Sequence, residues 1–160
     1  MKTVRAEIAA PIIFTVVLIV SLMLNALSPR VEIVDQAYLK ENIGKPGYVV
    51  VDTRSEEIFW GKSPAHGIPG GHIEGAINFP LDDLGINAVV AALAKSGLTK
   101  TNIIILYCTD GNSSEKFGEA LVSEFGYDPL KIKSYRGSVI DWIKDPYNKL
   151  YPEDHETGWE

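Results

Sequence analysis

The sequence of 160 residues predicts an α/β fold, a mainly parallel sheet flanked by helices on both faces. Short runs of β-branched and other apolar residues, for example at 48–51 and 102–107, are typical of strands that are buried on both sides. Segments with helical periodicity separate these runs, as in the crossovers that join parallel strands. In such sheets, ligands and reactive groups gather at the carboxyl ends of the strands.

Composition excludes several classes of function. The formal net charge of −6 argues against nucleic acid as a partner. A single cysteine cannot form an internal disulfide, and His66, His72 and His155 lie too far apart in sequence to suggest a metal site. We therefore expect neither a metal nor a cofactor.

The N-terminal part differs from the rest of the chain. Residues 8–29 are 22 consecutive residues without a charge, and a helix of that length spans a bilayer core of about 30 Å. We predict a transmembrane anchor at residues 8–28, preceded by a cytoplasmic segment at residues 1–7 that carries Lys2 and Arg5. The rest would lie on the periplasmic, extracytoplasmic side of an inner membrane. A cleaved signal peptide is the alternative, although no Ala-x-Ala site follows the apolar run.

Caps, breakers and periodicity predict each element beyond residue 30. Asp35 has the residue type of a helix N-cap, and Gly44 and Pro46 end the helix that it begins. Gly126 is predicted as the C-cap of a later helix. In chain order we predict a helix at 36–43, a strand at 48–51, a Gly- and Pro-rich loop at 61–75, a strand at 76–79, a helix at 86–96, a strand at 102–107, a helix at 113–125, a strand at 132–135, a helical turn at 138–143 and an irregular acidic tail at 146–160.

Cys108 lies where the most apolar predicted strand ends and the polar sequence TDGNSS begins. Gly111 permits a turn with positive φ, and Asn112 followed by Glu115 is similar to a capping box. The loop would then aim successive backbone N–H groups into one anion-binding nest, which would lower the pKa of a thiol at its rim. The alternative is a buried structural cysteine that closes the strand.

Two chemistries place a cysteine above such a nest. Phosphatase chemistry needs an arginine six residues after the cysteine, but that position is Ser114, and no arginine occurs between Arg54 and Arg136. Asp110 would also repel a phosphate dianion. In sulfur transfer, the thiolate becomes a persulfide that backbone amides can stabilise without an arginine.

Four segments carry a resemblance to a known family: VVVDTRSEEIF at 49–59, GHIEGAINFPLDDL at 71–84, YCTDGNSS at 107–114 and YRGSVIDW at 135–142. Together they resemble the signatures of a single rhodanese domain, a sulfurtransferase, across residues 31–145. Arg136 replaces the first glycine of the last signature. The resemblance implies a rhodanese-like α/β fold with Cys108 as the nucleophile that carries sulfur. It implies a persulfide cradle formed by Thr109, Asp110, Gly111, Asn112, Ser113 and Ser114.

The resemblance also implies roles outside the loop. Asp52 and Arg54 would be mainly structural, His72 would belong to the scaffold before the second strand, and Trp142 would lie in the core. The segment between the first two signatures is longer than usual and could form a pocket wall with Phe59, Trp60 and His66. Plain packing of these three residues is the alternative.

The loop departs from the family pattern at Thr109 and Ser113, where many members carry arginine. With Asp110 present, affinity for thiosulfate should be weakened, so polysulfide or an organic persulfide is an alternative donor. Hydroxyl groups and Lys116, one turn into the helix, could supply compensating contacts. The acceptor would be a small thiol, a protein thiol or another nucleophile.

Two hypotheses for the function follow. The first is a membrane-anchored sulfurtransferase that acts through a Cys108 persulfide. The second is a non-catalytic rhodanese-fold module that docks on a membrane complex, as the acidic tail and the missing arginines would allow. A redox enzyme is disfavoured because a lone cysteine has no resolving partner in the chain.

Overall fold

The computed structural model describes residues 13–19, 30–63, 67–96 and 98–151. The chain divides into two units, Met1–Arg30 and Val31–Glu160. In the first unit the described part is a helix, α1, over residues 13–19. Within the described ranges no helix is both long and apolar enough to cross a membrane. Most of the predicted anchor at 8–28 lies outside these ranges, as do residues 1–7 and His66.

The second unit contains five strands: β1 at Glu32–Val34, β2 at Tyr48–Asp52, β3 at Ile77–Asn78, β4 at Ile103–Tyr107 and β5 at Ile132–Tyr135. They form one sheet in the order β1-β5-β4-β2-β3, and every neighbouring pair is parallel. The predicted parallel sheet is confirmed. Residues 104–107 of β4 are fully buried, as expected for a central strand of a sheet that is covered on both faces.

The helices of this unit are α2 at Gln36–Asn42, α3 at Glu56–Phe59, α4 at Leu81–Leu84, α5 at Ile86–Lys95, α6 at Asn112–Ser123 and α7 at Ser138–Trp142. Because side chains alternate along a strand, β4 contributes Ile104 and Leu106 to one core and Ile105 and Tyr107 to another. The first core includes residues of α5 and α6, and the second includes residues of α2, α3 and α7. Helices therefore cover both faces of the sheet, as predicted.

Several predicted boundaries need correction. The strand predicted at 76–79 is only Ile77–Asn78, and the short helices α3 and α4 were not predicted. A helix of four residues has too few turns to give a periodic signal. The helix after Cys108 ends at Ser123 with Glu124 as its C-cap, whereas Gly126 lies beyond it in a turn with φ of +66°.

The strand register sets the position of the functional residues. Asp52 of β2 is paired with Tyr107 of β4, and Ser134 of β5 is paired with Leu106. The residues that follow these three strands therefore meet at the same edge of the sheet, where Cys108 is located.

The segment after α7 runs along the surface as far as residue 151. The N–H of Tyr151 donates to the carbonyl of His72 at 2.8 Å, and the N–H of His72 donates to the carbonyl of Tyr151 at 3.1 Å. Trp142 is buried, as predicted, and its Nε1–H donates to the carbonyl of Lys149 at 3.0 Å. The described part of the tail is therefore held by backbone pairing, and residues 152–160 lie outside the described ranges.

Candidate active site

Cys108 is the first residue after β4, and it is only 3% exposed. Its backbone N–H donates to Oγ of Ser138 at 3.1 Å, and its carbonyl accepts from the N–H of Val139 at 3.3 Å. Both partners belong to the first turn of α7. The position of the thiol is therefore fixed by a helix that begins well beyond it in sequence.

Ser138 had not been predicted as part of the site. Its Oγ accepts from Cys108 and also donates to the carbonyl of Tyr135 at 2.9 Å, and the residue is fully buried. Among the described residues it is the one non-glycine residue with positive φ, at 50°. Ser138 is the first residue of α7, and the sequence gives no sign of its left-handed backbone or of its contact with Cys108.

The loop after Cys108 curls back over the sulfur. The N–H of Gly111 donates to Sγ of Cys108 at 3.1 Å, and Gly111 has φ of +93°. Ser113 and Ser114, which follow in the loop, favour the thiolate form of Cys108, and the Ser114 hydroxyl donates to the carbonyl of Gly111 at 3.2 Å. One donor of the predicted anion-binding loop, the Gly111 N–H, is thus directed at the sulfur.

The pKa of Cys108 reflects two opposing effects. Burial of the sulfur is the largest single influence and disfavours the thiolate, but the hydrogen bonds from Ser113, Ser114 and the loop backbone outweigh it and lower the pKa of Cys108. The thiol is thus buried yet prepared to ionise. This combination suits a nucleophile better than a packing residue.

Asp110, rather than Asn112, accepts hydrogen bonds at the start of α6. The Asp110 carboxylate accepts from the backbone N–H of Asn112 at 3.0 Å and from its side-chain amide at 2.8 Å, which lowers the pKa of Asp110. The predicted capping box is wrong because Gly111 is the N-cap and Asn112 is already helical. An ionised carboxylate consequently lies near the sulfur, with Oδ1 of Asp110 3.7 Å from Sγ of Cys108.

Arg136 lies beside the loop, but its guanidinium group forms an ion pair with Glu115. It forms a two-point ion pair with the carboxylate of Glu115, with Nε 2.9 Å from Oε2. Glu115 is therefore not a capping residue. The Arg136 side chain is 60% exposed, and the Arg136 carbonyl packs against Gly111.

Asp52 and Arg54 form a buried ion pair beneath the neighbouring strand. The Arg54 guanidinium donates to the Asp52 carboxylate and to the carbonyl of Gly71 at 2.6 Å, and it lies over the ring of Tyr107 at 5.6 Å. The pair connects the end of β2 to the loop before β3. These contacts are those of a structural ion pair.

Two of the predicted pocket-wall residues, Phe59 and Trp60, belong to an aromatic cluster with His72. The His72 ring stacks on Phe59 with 4.0 Å between ring centroids, and Phe59 is itself in the core. Trp60 and His72 line a cavity of about 500 Å³ whose lining includes none of residues 108–114. The two residues are therefore part of a separate aromatic cluster.

A smaller cavity adjoins the cysteine loop. It has a volume of about 320 Å³ and is lined by Leu81, Ile86, Ser113, Lys116 and Phe117. Leu81 and Ile86 were not predicted as site residues because they come from helices that are distant in sequence. Within the described ranges, no group of three or more His, Cys, Asp and Glu side chains is placed to hold a metal ion.

Comparison with known proteins identifies the domain type. A sequence profile of the rhodanese-like domain matches residues 35–145. No curated protein matches the sequence.

The chain is also similar in fold to solved structures of larger proteins. The anaerobic ergothioneine biosynthesis enzyme from Chlorobium limicola, in complex with trimethyl histidine, is 19% identical with a TM-score of 0.68 over 78% of this chain and 28% of that one. An EanB variant with ergothioneine covalently linked with a persulfide is 24% identical with a TM-score of 0.62 over 74% of this chain and 31% of that one. The chain thus spans under a third of each.

Proposed function

The chain belongs to the rhodanese-like domain family, and on that premise we propose that it is a sulfurtransferase whose Cys108 carries a sulfane sulfur as a persulfide. Family membership supports sulfur transfer in general. The observation that carries the proposal is the Gly111 N–H, which donates to Sγ at 3.1 Å within a loop that lowers the pKa of Cys108. A packing cysteine has no need of such a donor.

The first half of the reaction is a displacement at sulfur. The Cys108 thiolate attacks the sulfane sulfur of the donor, a new S–S bond forms, and the bond to the leaving group breaks with its electron pair. The negative charge then resides on the outer sulfur of the persulfide. Loop N–H groups next to Sγ can stabilise that charge without an arginine.

The second half returns the enzyme to its starting state. An acceptor thiolate attacks the outer sulfur, the S–S bond to Cys108 breaks, and Sγ recovers its electron pair as a thiolate. No external oxidant or reductant enters either step. The donors near Sγ serve both halves because the thiolate and the persulfide are both anions.

The charges around the loop favour some donors over others. Residues 109–114 contain no arginine, and Asp110 is held in its ionised form close to the sulfur. A dianion such as thiosulfate would be repelled more strongly than the persulfide group of an organic persulfide, which carries at most one negative charge, so an organic persulfide is the preferred donor. Sulfur transfer by the full-length chain and by Cys108→Ser, measured with each donor and a thiol acceptor, tests this function. Equal rates for the two proteins would refute it.

A non-catalytic role is the competing proposal, and the ionised Asp110 next to the thiol is the observation that favours it. In that case the rhodanese-like fold would be tethered beside a membrane complex and would dock on it through its pocket or its tail. A Cys108→Ala strain with full biological activity would support the docking role. Loss of activity in that strain would support the enzyme.

Membrane attachment is a further part of the proposal. It is supported by the uncharged sequence at residues 8–28. An inner-membrane anchor would place the rhodanese-like domain on the extracytoplasmic side. Cell fractionation followed by protease treatment of spheroplasts tests this. A chain that stays in the membrane fraction but resists external protease would contradict the orientation, and a chain in the soluble fraction would contradict the anchor.

A further inference from the structure

The cavity beside the cysteine loop combines an apolar floor with a polar rim. Leu81, Ile86 and Phe117 supply aliphatic and aromatic surface, whereas Ser113 and Lys116 supply a hydroxyl and an ammonium group. The volume of about 320 Å³ is at the lower end of the range for small-molecule sites. Its size and lining suit a small ligand with a short aliphatic chain.

Ser113 connects this cavity to the reactive sulfur. Ser113 lines the cavity and belongs to the loop whose Gly111 N–H donates to Sγ of Cys108, and it helps to lower the pKa of Cys108. A molecule in the cavity therefore lies next to the atom that would carry the transferred sulfur. The cavity is in the right place to hold the organic part of a substrate of the proposed reaction.

Lys116 is the charged residue among those that line the cavity. Lys116 is exposed and takes part in none of the ion pairs found among the described residues. The nearest acidic residue in sequence, Glu115, is paired with Arg136, and no carboxylate is among the lining residues. A single carboxylate on the ligand would find its counter-charge at Lys116.

The two polar residues lie on one face of the same helix. Ser113 and Lys116 are three residues apart in α6, a spacing that places their β-carbons about 5–6 Å apart. A molecule with a thiol at one end and a carboxylate at the other, joined by two or three carbons, can therefore meet both residues. Thiosulfate has no organic part to fill the apolar floor.

We infer that this cavity binds a small aliphatic thiol with one carboxylate, with its chain on Leu81, Ile86 and Phe117 and its carboxylate at Lys116. The thiol is the sulfur acceptor, and its persulfide is a donor by reversal of the same step. This inference rests on the proposed sulfurtransferase function. In the transfer, the acceptor thiolate forms a bond to the outer persulfide sulfur, and the bond to Cys108 breaks with its electron pair returned to Sγ.

For the test, the full-length chain is first loaded with sulfur from polysulfide. It is then given one of three acceptors of matched length, namely 3-mercaptopropionate, 2-mercaptoethanol or cysteamine. Loading is first checked by mass, and kcat/KM is then measured for each acceptor with the native chain, Lys116→Gln, Lys116→Glu and a control variant. The control is Lys131→Gln, because Lys131 precedes β5 and so lies at the opposite edge of the sheet. Because the three thiols differ in intrinsic reactivity, the quantity compared is the change in kcat/KM that each substitution causes for each acceptor.

We expect Lys116→Gln to lower kcat/KM for mercaptopropionate relative to mercaptoethanol by about fivefold, the scale of a partly exposed ion pair. Lys116→Glu should lower it further and favour cysteamine, while Lys131→Gln should leave all ratios unchanged. Normal loading with unchanged ratios in Lys116→Glu would overturn the inference and leave the sulfurtransferase intact. A native chain that never loads would overturn both.

Discussion

The carbonyl oxygen of Arg136 lies 2.0 Å from the position that a β-carbon on Gly111 would occupy. The loop that surrounds the Cys108 sulfur is therefore pressed directly against the turn that follows β5. Gly111 also needs its φ of +93°, which side chains of L-residues rarely allow. The donor to Sγ is thus held in place by backbone contact between two elements that are distant in sequence.

Replacing Gly111 by alanine should displace the loop. The β-carbon would collide with the Arg136 backbone, so we expect a loss of more than about 2 kcal/mol in the free energy of unfolding and a large fall in the rate of persulfide formation. Urea denaturation and single-turnover loading measure the two effects. Gly44→Ala is the matched control, because Gly44 has φ of +75° but nothing within 4 Å of its hypothetical β-carbon. Equal effects of the two variants on loading would contradict the prediction.

The Ser138 hydroxyl should contribute to stability as well as to the position of Cys108. In Ser138→Ala the buried N–H of Cys108 loses its acceptor, at a cost of about 1–3 kcal/mol in the free energy of unfolding. Ser134→Ala is the control, since Ser134 Oγ is buried and lacks a hydrogen-bond partner within the described part of the chain. Removal of that hydroxyl should be neutral or stabilising. Unfolding of the two variants at the same urea concentration would contradict this role of the Ser138 hydroxyl.

The ionisation of Cys108 should occur below its ordinary range and should depend on Ser113. Thiolate absorbance, taken as the difference between the native chain and Cys108→Ser, measures the pKa in the folded protein. We expect Ser113→Ala to raise the pKa of Cys108 because a donor to the thiolate is lost. Ser123→Ala is the control, because that hydroxyl donates to the Glu119 carbonyl at the other end of α6. A pKa that does not respond to Ser113→Ala would be inconsistent with the described loop.

The lowered pKa of Cys108 also predicts the sign of a stability change with pH. The pKa is lower in the folded than in the unfolded chain, so ionised Cys108 stabilises the folded state. The contribution is fully present above the pKa of the unfolded chain and is lost as the pH falls through the folded pKa. The difference in unfolding free energy between the native chain and Cys108→Ser should therefore grow as the pH rises. A difference that is constant or shrinks over this window would contradict the prediction.

Removal of the Asp110 charge should relieve the repulsion of anionic donors. Asparagine keeps an oxygen that can accept from the Asn112 N–H, so Asp110→Asn should leave the loop in place. We expect kcat/KM for thiosulfate to rise by about fivefold at low salt, with a smaller gain at high salt. Asp128→Asn is the control, because Asp128 accepts from the Leu130 N–H with the same sequence spacing. A gain of the same size in both variants, or none in Asp110→Asn, would show that the Asp110 charge does not set donor preference.

The sequence was sufficient to predict the sheet, the position of Cys108 and the direction of its pKa shift. Those features depend on local patterns: an apolar run, a glycine turn and a helix that follows. It was insufficient for Ser138, whose contact with Cys108 depends on how α7 packs against the end of β4. The capping role assigned to Asn112 failed for a related reason, since the left-handed backbone of Gly111 moved the helix start by one residue.

The residues that line the cavity beside the loop could likewise be predicted only in part from the sequence. Ser113 and Lys116 are close in sequence to Cys108, so their proximity to the site could be predicted. Leu81 and Ile86 come from α4 and α5 and are brought there by packing on the face of β4 that holds Leu106. Trp60 was expected near the cysteine loop, but α3 packs on the opposite face.

The most direct test of the account is the intact mass of the full-length chain after incubation with polysulfide and removal of excess reagent. We expect the native chain to gain the mass of one sulfur atom, with the gain located at Cys108 and reversed by an acceptor thiol. Cys108→Ser should gain nothing under the same conditions. A native chain that gains no sulfur from polysulfide, glutathione persulfide or thiosulfate would contradict the central claim that Cys108 is a sulfur carrier.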